Sequence, residues 1–258
     1  MNAIPDSEID KAPILKLEII EGINVGTFYK INACGLTGLQ GRGRKDGCVL
    51  VGSQEFEENT DDPYNDIILE SGDNSEIGKR HFLVKYNQDS TAYYLRDLGD
   101  GNGTFVRLDN NLILKTGYII SFGDSHMFIQ IFESETEKVS KIEIKFLDGP
   151  KTDQTFKFGK KIIFNLFPTE ASLLPEEIKN NKTVKIGRMN DWDIKFHSKG
   201  LSRWQCIIEF INKWWILKDG DGERTSTNGT WLFVDELYPI HDEMVFKAGQ
   251  ILFKWIFT

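Results

Sequence analysis

Three short motifs, Gly187-Arg188, Gly200-Leu201-Ser202-Arg203 and Ser226-Thr227-Asn228-Gly229-Thr230, fall within the stretch 187–230. The apolar runs 184–187, 206–210 and 214–217 separate them and are rich in β-branched and aromatic residues, the composition of strands. If those strands are antiparallel neighbours, Arg188, Ser202, Arg203, Thr227 and Asn228 gather at one end of a sheet. Arginine offers a planar fork of donors, and hydroxyls and loop amides add neutral ones. That set suits a phosphate monoester better than a catalytic step. The plainer alternative is a sandwich with polar turns, in which Asn-Gly merely closes a hairpin.

Outward from this stretch the chain repeats itself. Tyr94-Leu95-Arg96-Asp97 matches Ile216-Leu217-Lys218-Asp219, and Asn102-Gly103-Thr104 matches Asn228-Gly229-Thr230. Residues 114–120 match 246–252, and 142–147 match 14–20. Short strands, frequent Gly and Asn-Gly turns, and almost no amphipathic helix predict two all-β antiparallel sandwiches in tandem. The expected domains are 12–133, with a long acidic loop at 43–66, and 138–258, joined across the charged segment 133–140. An insertion at 165–180 could hold one helical turn after Pro175.

The order Gly187-Arg188, then Ser202-Arg203 fourteen residues after the arginine, then Thr227-Asn228-Gly229-Thr230, resembles the forkhead-associated (FHA) domain. The resemblance spans nearly the whole chain as a tandem pair. It implies a β-sandwich of the SMAD/FHA type that binds phosphothreonine peptides through loops at one end. Arg188, Ser202 and Thr227 would contact phosphate, Arg203 would support them, and Asn228 would bond the peptide main chain. A histidine usually follows the serine by three residues; here that position is Gln205. In the first repeat the resemblance aligns Gly41-Arg42 with Gly187-Arg188, and Gly78-Lys79-Arg80-His81 with the serine motif. Arg42, Lys79, Arg80 and Asn102 are the candidate ligands there. Gly78 and Gly101 replace the hydroxyl residues, and Asp100 adds a carboxylate where phosphate would approach, so this site is expected to be degenerate and to serve structure or docking.

Composition narrows the class. The net charge of −8 is unevenly shared, with 12 Lys+Arg against 21 Asp+Glu in 1–133 and 19 against 18 in 134–258. No basic stripe points to nucleic acid, and no apolar run reaches the roughly 20 residues of a membrane span. Three widely spaced cysteines predict reduced thiols in a nuclear or cytoplasmic setting. The acidic turns at 97–101 and 219–223 lack calcium-loop chemistry, the glycine-rich segment 35–44 lacks a P-loop ending, and the four histidines lack metal or nucleophile spacing. No catalytic residue, metal, cofactor or small-molecule substrate is expected. The expected partner is a phosphorylated protein, read by a non-catalytic module. The alternative is a docking or dimerisation module without phosphate dependence.

Overall fold

The computed structural model describes residues 4, 9, 11–38, 45–70, 76–134, 139–161 and 183–258. Arg42, the start of the acidic loop at 43–44, the segment 135–138 and the insertion at 165–180 lie outside the described residues. The described elements are all strands, most of them antiparallel. They are β1 (Leu15–Glu21), β2 (Phe28–Asn32), β3 (Gly35–Leu36), β4 (Cys48–Gly52), β5 (Ile67–Ile68), β6 (Phe82–Asn87), β7 (Ala92–Asp97) and β8 (Thr104–Arg107). Then follow β9 (Leu112–Ile113), β10 (Ile119–Phe122), β11 (Ser125–Ser134), β12 (Val139–Asp148), β13 (Thr155–Lys161), β14 (Thr183–Gly187) and β15 (Ile194–Lys195). The last are β16 (Cys206–Ile211), β17 (Trp214–Asp219), β18 (Trp231–Phe233), β19 (Tyr238–Pro239), β20 (Val245–Ala248) and β21 (Ile251–Phe257).

Two compact units form, and they do not follow the repeats. Unit 1 is 1–107 with 233–258; unit 2 is 108–232. The repeats therefore exchange their last three strands. In unit 1 the strand orders are β8-β20-β21-β1-β2-β3 and β19-β7-β6-β4-β5. In unit 2 they are β13-β12-β11-β10-β18 and β15-β14-β16-β17-β9. The expected boundaries 12–133 and 138–258 mark repeats of sequence, whereas the packing divides at 107/108 and 232/233. Connectivity makes unit 2 an insertion within unit 1.

Paired antiparallel strands flank the segment expected to separate the domains. β11 pairs with β12 through Met127↔Phe146, Ile129↔Ile144 and Ile131↔Ile142 up to Ser134↔Val139. Antiparallel partners can be joined by a very short connection, and a short connection here ties β11 to the strand that follows it.

Side-chain size supports the same pairing. In unit 1, β21 sets Phe253 opposite Ile19 and Trp255 opposite Leu17. In unit 2, β11 sets Met127 opposite Phe146 and Ile129 opposite Ile144. Closing each repeat on itself would face Phe253 with Phe146 and leave Met127 against Ile19, overfilling one core and underfilling the other, at a cost of about 1–3 kcal/mol for each overpacked position. The aromatic clusters follow the exchange. Phe246 stacks on Phe253 at 4.8 Å and meets Phe82 edge-on at 5.3 Å. Phe122 meets Phe196 edge-on at 5.6 Å, and Phe196 meets Phe146 at 5.6 Å. Trp215 is buried in unit 2, and its indole N–H donates to Ser140 Oγ at 2.9 Å.

Candidate functional site

β14 ends at Gly187, and a Cβ there would stand 2.2 Å from the Arg203 carbonyl oxygen. Only glycine permits that approach, and it lets the Arg188 amide donate to the carbonyls of Ser202 and Arg203 at 3.2 and 3.1 Å. The indole N–H of Trp192 donates to the same Arg203 carbonyl at 2.8 Å. We expect Gly187→Ala to destabilise unit 2 by about 1–3 kcal/mol, since backbone must move to admit the methyl group. Chemical denaturation checks this; an unchanged midpoint contradicts it.

The second wall is the β17–β18 connection. The Asp219 carboxylate accepts from the Ser226 amide (2.8 Å), Ser226 Oγ (2.7 Å) and Thr230 Oγ1 (2.6 Å). This places Thr227 beside Ser202: Ser202 Oγ accepts from the Thr227 amide at 2.8 Å and donates to Thr227 Oγ1 at 3.2 Å. Asn228 Nδ2 donates to the Gly200 carbonyl at 2.8 Å, tying this loop to the one before β16. Arg188, Ser202, Arg203 and Thr227 line one open cavity of about 500 Å³, with Arg224 and Trp204 on its walls. The structure thus brings all five predicted residues of the second repeat to one end of unit 2, four in the cavity and Asn228 bracing its edge. The Arg188 and Arg203 guanidinium groups are exposed and make no hydrogen bond or ion pair among the described residues.

Gln205 is the member of the site whose role the sequence left open. It is fully buried; Oε1 accepts from the Ser202 amide at 3.3 Å, and Nε2 donates to Ser226 Oγ and the Gly229 carbonyl, both at 3.0 Å. His81 does the same in unit 1. Its Nδ1 accepts from the Gly78 amide at 3.0 Å, which leaves Nε2 to donate to the Gly103 carbonyl at 3.1 Å. The amide copies both bonds of the imidazole, so the departure from histidine preserves the loop. Gln205→His is expected to keep the fold, whereas Gln205→Leu strands buried polar groups and costs about 2 kcal/mol or more. Equal melting temperatures for the two variants would refute this.

Unit 1 is built on the same frame with different chemistry. β4 and β14 share one burial pattern, and each pairs in parallel with the short strand that follows. A Cβ on Gly52 would stand 2.3 Å from the Lys79 carbonyl, as one on Gly187 would from Arg203. The Ser53 amide donates to the Gly78 carbonyl at 3.0 Å, the counterpart of Arg188 to Ser202. The structural equivalent of Gly187-Arg188 is therefore Gly52-Ser53. This corrects the alignment of Gly41-Arg42, which took the nearest Gly-Arg pair in the sequence instead of the end of β4.

The two candidate cations of unit 1 among the described residues, Lys79 and Arg80, are engaged. Lys79 Nζ pairs with Glu58 at 3.3 Å; Arg80 Nη2 donates to the Tyr64 carbonyl at 2.6 Å and its guanidinium lies 3.7 Å from the Tyr64 ring centroid. Asp100 Oδ2 accepts from the Arg80 amide at 3.1 Å. Gly78 and Gly101 are packed too tightly for side chains: a Cβ on Gly78 would stand 2.4 Å from the Asp100 carbonyl carbon, and one on Gly101 would stand 2.5 Å from His81 Nδ1. The Asn102 amide donates to the Glu76 carbonyl at 3.1 Å.

The FHA domain family model matches residues 49–123 and 184–249, both repeats and more than half of the chain. The chain belongs to the FHA family. No curated protein matches it. FHA domains are non-catalytic, phosphothreonine-binding protein-interaction modules, and two of them lie in tandem here. The FHA match starts at 49, within β4, which agrees with Gly52-Ser53 as the first repeat's counterpart of Gly187-Arg188.

The FHA frame also carries three cysteines that form no disulfide, Cys34 and Cys206 buried and Cys48 half-buried. Burial, then the nearby Asp219 carboxylate, pushes the Cys206 thiol well above its ordinary pKa, so it acts as an apolar core residue.

Proposed function

We propose that unit 2 reads phosphothreonine in a partner protein and that the chain is a non-catalytic adaptor. One observation carries this reading. Ser202 and Thr227, from different loops, meet within 3.2 Å in a cavity also lined by the unpaired Arg188 and Arg203. A phosphate dianion there would accept from Arg188 and from both hydroxyls, with Arg203 adding charge. Asn228 Oδ1 is left to accept from a peptide amide. Charge-assisted bonds of this kind outweigh neutral ones roughly twofold. The test is binding of a phosphothreonine peptide library against its unphosphorylated copy; equal binding of the two defeats the proposal.

For unit 1 a different observation favours the docking role. Of its candidate cations among the described residues, Lys79 pairs with Glu58 and Arg80 donates to the Tyr64 carbonyl, while Asp100 accepts from the Arg80 amide, so neither of the two waits for a ligand. Among the described residues no helix is long and apolar enough to cross a membrane. The adaptor reading takes a phosphorylated protein as partner, with no nucleic acid, membrane or small-molecule substrate, in a nuclear or cytoplasmic setting.

A further inference from the structure

The connection that carries Thr227 and Asn228 is longer in unit 2 than in unit 1. From Asp219 to Asn228 is nine residues along the chain, against five from Asp97 to Asn102. The extra residues form a rigid turn. Asp221 Oδ1 accepts from the amides of Glu223 (2.9 Å) and Arg224 (2.6 Å), and the Asp221 amide donates back to the Arg224 carbonyl at 3.2 Å. A Cβ on Gly220 would stand 1.8 Å from that carbonyl, so the turn is folded directly over Gly220. The turn sets Arg224 on the wall of the cavity that holds Arg188 and Arg203.

Three arginines therefore line one cavity. None makes a side-chain hydrogen bond or ion pair among the described residues. Asp221 is the acidic residue on the same wall. The two amides it accepts, first that of Arg224 and then that of Glu223, hold its carboxyl below the usual range, with a smaller share from the Arg224 charge. Its oxygens are already engaged with the turn, so it shapes the loop more than it neutralises the cavity. A single phosphate dianion meets the needs of Arg188, Ser202 and Thr227. The cavity extends past them to Arg224.

We infer that Arg224 is a specificity residue for a second anionic side chain, carboxylate or phosphate, close to the phosphothreonine in the bound peptide. This rests on the phosphopeptide reading of unit 2 and names the peptide class that reading would take. The turn fixes the backbone that carries the cation, so on binding only the side chain itself has to be ordered.

The experiment uses the full chain and a peptide with one central phosphothreonine in a neutral Ala/Gln background. A single Glu, phosphoserine or Gln is walked over the four positions on either side, and affinity is read by fluorescence polarisation. At one position or more, the wild-type chain should bind the Glu or phosphoserine peptide about two- to fivefold more tightly than the Gln peptide, the gain expected of one exposed charge pair. In Arg224→Gln that ratio should fall to about one, whatever the variant does to the Gln peptide. A gain for phosphoserine alone identifies a second phosphate as the ligand; a gain for both identifies anionic charge. A ratio that persists in Arg224→Gln, or no gain at any position while the Gln peptide binds, overturns the inference and leaves the phosphothreonine reading intact. Failure of every phosphopeptide to bind removes both.

Discussion

Arg188→Ala is expected to lower affinity for a phosphothreonine peptide by roughly ten- to a hundredfold, which removes measurable binding from a micromolar site. Arg188 lines the cavity and its side chain has no partner among the described residues, so a bound phosphate would take a charge-assisted bond worth about 1.5–3 kcal/mol from it. Ser202→Ala and Thr227→Ala should each cost less, about 1 kcal/mol, because water replaces part of a neutral hydrogen bond. Asn228→Ala should weaken phosphorylated and unphosphorylated peptides alike, and it also frees the Gly200 carbonyl from its brace. Arg42→Ala should change little, since the counterpart of Arg188 in unit 1 is Ser53. Titration by calorimetry separates these cases. Wild-type affinity in Arg188→Ala, or damage confined to Arg42→Ala, would move the reader to unit 1 and end the present assignment.

The fragment 108–232 is expected to fold cooperatively by itself and to bind the same phosphopeptide as the whole chain, because it contains every strand of unit 2 and the complete cavity. The repeat-based fragment 138–258 contains the same five site residues but lacks β10 and β11. To close its sandwich it must lay β21 on β12, which brings Phe253 toward Phe146 and Trp255 toward Ile144, and it loses Phe122 from the cluster with Phe146 and Phe196. Removing a buried phenylalanine from such a cluster costs about 3–5 kcal/mol, much of the stability of a small domain. Denaturant unfolding of the two fragments, followed by peptide titration, decides the matter. A stable, binding-competent 138–258 beside an unfolded 108–232 would mean that each repeat closes on itself.

Much of this was legible in the chain. The match of 142–147 to 14–20 marked two like strands, now β12 and β1, each paired with the strand that follows it. The three motifs of the second repeat marked residues that do meet, because strand–loop–strand order fixes which loop ends share an edge. Two things were not legible. The first is the partner of each last strand: β11 and β21 present the same alternation, so either can sit beside β1 or β12 by pattern alone. What separates them is volume, Phe253 and Trp255 against Met127 and Ile129, and volume matters only once the facing residues are known. The second is the place of Arg188 in the first repeat. A Gly-Arg pair stands at 41–42, but the site needs the glycine at the end of β4, where Lys79 comes within 2.3 Å of its missing side chain. Gly52 is followed by serine, which no motif search would select. Gln205 shows the opposite case, a change of residue type that leaves two hydrogen bonds in place.

Because unit 2 is inserted within unit 1, synthesis and completion run in opposite orders. Protein domains generally form from the amino end as the ribosome delivers them. Here β1 to β8 cannot finish their sandwich when they emerge, since β1 needs β21, which is made only after the whole of unit 2. Unit 2, made second, has all its strands by residue 233 and closes first. The amino-terminal sheet waits with β1 unpaired on one edge through the whole interval, and the newborn chain needs protection on that edge until β21 leaves the exit tunnel.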